Sequence, residues 1–209
     1  SLSSAASDVY KRQDLKYLKE VNKRYGSKEF LILTYTPNEN MISDNSVNNL
    51  LSLKYKIQSL DWVHNVITIL DIPLLNTKDE TLTDKLQNFS TLKSEGVNKE
   101  DGFNEILNSP VFRNFVISED GKTSGIIVYI KEIEKEPNFK NWKDKEIFRD
   151  KVKKKNHENI LEIRQVIKSY NDIGKIHLGG IPMIADDMMS FIKNDIIIFG
   201  AGVLLFIIF

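Results

Sequence analysis

The 209-residue chain has no cysteine, which excludes a disulfide framework, thiol catalysis and cysteine-ligated zinc. Histidine is scarce as well. His64, His157 and His177 lie far apart, and no two share a helix face at ligand spacing, so a zinc or metal-hydrolase site is not expected. An excess of one charge is also lacking: the formal net charge is +0, and no field for nucleic acid follows from it. Phosphate-cradling loops are missing too. Gly121-Lys122-Thr123 lacks the glycine such a loop needs at position 116, where Val116 stands, and a β-rich run follows it instead of a helix. The Gly179-Gly180 pair does not complete a dinucleotide fingerprint, because Gly174 is separated from it by a short strand. No catalytic, cofactor-binding or metal-ligating residue is assigned, and no enzyme activity or cofactor is expected.

What the chain has is a C-terminal run, Ile196 to Phe209, free of charged and strongly polar side chains. As a helix it would span ~21 Å, against ~30 Å for a bilayer core, so it reads as the beginning of a membrane helix that continues past Phe209. A buried core helix is the alternative. Gly200 and Gly202 weaken that alternative, since glycine costs stability in a soluble helix and is common in membrane helices.

Upstream, the periodicity predicts an α+β domain. Asp14 to Tyr25 carries Leu15, Leu18 and Val21 at helical spacing, with Gly26 as a C-terminal cap. Phe30 to Thr36 is a compact apolar run closed by Pro37, which predicts a central strand covered on both faces. Ser46 is placed to cap a helix bearing Val47, Leu50, Leu51, Ile57 and Leu60, and Trp62 to Leu70 predicts a second strand. An irregular polar insertion over 76–99 follows, with one helical piece around Leu82 to Phe89. Lys99 to Asn108 predicts a helix, and Phe112 to Ser118 with Thr123 to Lys131 predicts a hairpin turning at Asp120-Gly121. Pro137 and Trp142 fall in a linker before a charged helix over 144–170, and Ile176 to Leu178 predicts a short strand. Gly179-Gly180-Ile181-Pro182 then breaks the strand and starts the last helix, with proline in its first turn. The order β-α-β, insertion, β(hairpin)-α-β is the split βαβ, ferredoxin-like plan.

Two charged groups invite a functional reading. Lys153-Lys154-Lys155, with Glu158 and Glu162 nearby, reads as a solvated helix face, contact with anionic headgroups being the alternative. Asp186, Asp187, Lys193 and Asp195 stand at the start of the membrane helix. They read as interfacial charges rather than as intramembrane functional carboxylates, with Asp186 and Asp187 in the first turns, where the helix dipole favours negative charge.

At the other end, Ser3 to Gln13 (SSAASDVYKRQ) resembles the in-frame translation of a sequencing-library adapter at all eleven positions, so residues 1–13 are set aside as an artefact. Without Asp8, Lys11 and Arg12 the formal charge becomes −1, still near neutral. Residues 14–181 are then read as the α+β domain, and 182–209 as the truncated start of a membrane helix.

The stretches LKYLKEVNKRYGSKEFLILTYTP, NVITILDIPLL, EILNSPVFRNFVISEDGKTSGIIVYI and IRQVIKSYNDIGKIHLGGIPMIADDMMSFIKNDIIIFG, in that order, resemble the first large extracytoplasmic loop of resistance-nodulation-division (RND) superfamily exporters, in the branch of MMPL-type lipid and hydrophobe exporters. The resemblance implies a proton-driven transporter of the bacterial inner (cytoplasmic) membrane, with residues 14–181 a periplasmic porter domain built of ferredoxin-like subdomains. It implies a hydrophobic, amphiphilic or lipid-like substrate, contact with the bilayer, and a remainder of the same transporter chain that holds the proton-relay carboxylates. Homo-oligomerisation is left open. A membrane-anchored extracytoplasmic sensor or ligand-binding domain, or a membrane-tethered structural subunit, would share the same elements.

Overall fold

The computed structural model describes residues 29–74, 90–110, 112–114, 116–132 and 136–208, with side chains to Leu205. The expected helices at 14–25 and 82–89 and the adapter-like residues lie outside these.

Strand β1, Phe30–Pro37, follows from alternation: Leu31, Leu33 and Tyr35 are fully buried, while the residues between them face the other way. Helix α1 spans Asp44–Gln58 and buries Val47, Leu50, Leu53 and Ile57. Its cap is Ser43 rather than Ser46. Ser43 Oγ accepts from the Ser46 amide at 3.1 Å, and the expected cap lies inside the first turn, where its hydroxyl accepts from Ser43 Oγ. Residues 43–46 (SDNS) are all cap formers, so residue type could not choose among them. Strand β2, Val63–Ile67, ends three residues before the expected limit because Thr68 and Asp71 form a capping box around a 3-10 turn, Ile69–Asp71.

Helix α2, Lys99–Asn108, has the expected bounds and is capped by Asn98. After it the chain reverses at Asp120-Gly121 as expected, with Gly121 at a φ of 69° and its amide donating to Ser118 O. Only the second arm becomes a strand, β3, Ser124–Ile130. The first arm makes isolated bridges at Arg113 and Ile117. Val116 and Ile117 are both buried, and the Val116 carbonyl accepts from the Gly125 amide, so this arm packs on the core through isolated bridges without a continuous ladder.

Helix α3, Trp142–Ser169, is capped by Asn141, so Trp142 is its first residue and not part of the linker. Strand β4, Gly174–Gly179, leads through Gly180 into helix α4, Ile181–Ile208.

The four strands form one antiparallel sheet in the order β2-β3-β1-β4. Phe30 pairs with Tyr129 and Ile32 with Gly179, so the start of β1, the end of β3 and the end of β4 share one end of the sheet. Helices α1 and α3 pack on the same face: Leu50, Leu53, Ile57, Ile160, Ile163 and Val166 join Leu31, Leu33, Ile126 and Val128 in one core. The expectation that β1 is covered on both faces is therefore corrected. It is central, yet Phe30 is 45% and Ile32 39% exposed, because both crossover helices lie on the other side.

Candidate functional site at the root of the apolar helix

On α3 the sheet-facing positions are Ile160, Ile163 and Val166, and a neighbouring stripe carries Asn156, His157 and Arg164. The first turns of α4 present Pro182, Asp186 and Asp187 to that stripe. Asn156 Nδ2 donates to Pro182 O at 2.9 Å. His157 Nδ1 lies 2.8 Å from Asp186 Oδ1, and Arg164 Nη2 donates to both carboxylate oxygens of Asp187 at 2.9 and 3.0 Å.

These contacts differ in weight. Asp187 and Arg164 are roughly two-fifths exposed, so their pair is worth about 0–1 kcal/mol. Asp186 is 9% exposed, with the half-exposed His157 ring as its side-chain partner. Its carboxylate sits in the second turn of α4, past the reach of the helix dipole, and is satisfied by a side chain of the domain instead. The junction thus ties the base of α4 to a helix anchored in the core.

The backbone supports the same joint. Gly180 has a φ of 123°, and a Cβ there would come within 3.1 Å of Phe30 O and 3.2 Å of Leu31 Cα. From Phe191 to Leu205 every residue of α4 is exposed, and Ile181–Leu205 is long and apolar enough to cross a membrane.

No family model and no curated protein matches this chain.

Beside the junction, Ile130 and Glu29 at the end of the sheet and Phe148, Val152 and Asn156 of α3 line an open, largely apolar cleft of about 270 Å³, with Lys151 and Lys155 also on its walls. A second polar cluster lies apart from it. Asp71 accepts from Lys54 at 2.6 Å, Lys93 at 2.7 Å and the Thr68 amide at 2.8 Å. Burial pushes its carboxyl up, and the two lysines with the Thr68 amide overcome this and hold it below the usual carboxylate range. Every polar group there has a structural partner, and the cluster binds the 90–97 segment to the end of β2.

The structure brings Asp186 and Asp187 into contacts with α3, while Lys193 and Asp195 lie on the exposed length of α4. His64 and His177 are exposed on separate strands, and among the described residues no three His, Asp or Glu side chains gather in a way that could hold a metal ion. Sequence reading missed His157 and Arg164 as partners. The available signal was their two-turn spacing on one face of α3, opposite a pair of acids in the first turns of the following helix.

Proposed function

We propose that residues 14–181 are the first porter loop of an RND-type, proton-driven exporter of hydrophobic, amphiphilic or lipid-like molecules, and that α4 begins its second transmembrane helix. The observation that carries this reading is the strand order β2-β3-β1-β4 joined directly to one apolar helix. In that order β1 and β2 run parallel with β3 between them, and β3 and β4 run parallel with β1 between them, which supports a ferredoxin-like, doubly split βαβ subdomain.

In this reading the domain handles substrate at the extracytoplasmic surface of a bacterial inner membrane, and the proton-relay carboxylates lie in later helices. The contacts of His157 with Asp186 and Asn156 with Pro182 would transmit movement of α4 to the sheet through α3. A rigid joint suits that task, since coupling between two bodies requires packed and hydrogen-bonded continuity.

The test is efflux by the full-length gene product in a bacterial host lacking its own pumps. Cells carrying it should accumulate less of a hydrophobic dye than controls, and a protonophore should remove the difference. Unchanged dye accumulation across hydrophobic and lipid-like probes, with the protein present in the membrane, would argue for a sensor or binding domain instead.

A further inference from the structure

Helix α3 is longer than the sheet it crosses. A seven-residue strand such as β3 spans ~23 Å, whereas the 28 residues of α3 span ~42 Å. Its buried residues, Asn159, Ile160, Ile163 and Val166, all lie in the C-terminal half, and Phe148 to Asn159 flank Ile130 and Glu29 at the end of the sheet. The residues before Phe148 therefore overhang that end, which is the end from which α4 departs.

The N-terminal half of α3, with the residues that lead into it, has a distinctive chemistry. Residues 136–156 hold eight basic and four acidic side chains in a chain whose net charge is +0. The acids are partly occupied: Glu136 pairs with Lys145 and Arg149, and Asp150 with Lys153. Lys143, Lys151, Lys154 and Lys155 are exposed and have no ion-pair partner among the described residues. Trp142 stands 75% exposed as the first residue of the helix. An indole beside a cluster of lysines is the pattern of a membrane-surface anchor: the ring suits the headgroup level, and each lysine near an anionic surface adds attraction.

We propose that the N-terminal half of α3, with Trp142 at its overhanging tip and Lys143, Lys151, Lys154 and Lys155 along it, docks on anionic phospholipid headgroups of the bilayer that α4 enters. The occupant follows from charge complementarity and from continuity with α4, which starts at the same end of the sheet. Docking there would give the domain a second foothold besides α4. The inference rests on the membrane reading of α4 and adds a lipid preference to it.

The chain lacks cysteine, so Asn138→Cys, in the exposed linker just before the tip, gives a single site for an environment-sensitive fluorophore. The labelled full chain is reconstituted into vesicles of phosphatidylcholine, alone or with added phosphatidylglycerol, and floated on a density gradient. With phosphatidylglycerol present, emission should shift to the blue and rise about twofold or more, and high salt should reverse the change. Replacing Lys143, Lys151, Lys154 and Lys155 by glutamine should abolish the response while flotation persists. Equal emission in both vesicle types, with the chain floating in both, overturns headgroup docking and leaves the membrane helix standing. A chain that floats with neither overturns the membrane reading, and the proposal falls with it.

Discussion

His157 Nδ1 and Asp186 Oδ1 are 2.8 Å apart, joining the middle of a core-anchored helix to the second turn of the apolar helix. The carboxylate is nearly buried and the imidazole half-exposed, so the acid depends on the histidine more than the reverse. His157→Ala should cost about 1–3 kcal/mol in denaturant unfolding of the detergent-solubilised chain, because it leaves a buried acceptor unsatisfied. A double-mutant cycle with Asp186→Ala should return a coupling above about 0.5 kcal/mol, whereas Arg164→Ala should cost no more than about 1 kcal/mol. Additive single effects would show that the two residues do not act as a pair.

Asp71 gives the domain a pH dependence of known sign. Its folded pKa is depressed, so its stabilising contribution is complete above the unfolded value of about 4 and disappears as pH falls through the lower folded value. Asp71→Asn should therefore be less stable than the parent at neutral pH, by roughly 1–3 kcal/mol, with the difference shrinking on acidification below about pH 4. Unfolding midpoints measured from pH 7 to pH 3 check this. A difference that widens toward low pH would contradict the assignment.

The buried stripe of α1 can be read by truncation. Leu53 is fully buried and Tyr55, two residues on, is 61% exposed. Leu53→Ala should cost about 2–5 kcal/mol and Tyr55→Ala within about 0.5 kcal/mol, as measured by thermal or urea unfolding. Similar losses at both positions would mean that α1 packs in a different register.

Gly180 should tolerate no side chain. Gly180→Ala meets the backbone of Phe30 and Leu31 and places alanine at positive φ, so a loss of more than about 1 kcal/mol is expected. Limited proteolysis should then cut first between β4 and α4. A variant as stable and as resistant as the parent would show that the joint has another backbone conformation.

Much of the fold was legible because it rests on local pattern. The apolar run of β1, the Lys99–Asn108 span of α2 and the Pro182 start of α4 each declare themselves within a few residues. What local pattern could not supply was competition among neighbours. Ser43 and Ser46 are equally good caps by residue type, and only the packing of Val47 and Leu50 selects the start of α1. Likewise the 112–118 arm has strand-like composition, but it pairs only through isolated bridges at Arg113 and Ile117, a tertiary outcome that composition does not encode. The candidate site was the least legible part. His157 and Asp186 are 29 residues apart, and their contact depends on how α4 leaves the sheet at Gly180, which no periodicity encodes.

Reading the coding sequence beyond Phe209 on a longer genomic contig tests the exporter assignment most directly. The expected result is completion of the α4 membrane helix, then several further membrane helices, one with an intramembrane Asp or Glu, and a second large loop resembling residues 14–181. A kinase or cyclase domain after a single membrane helix would contradict it.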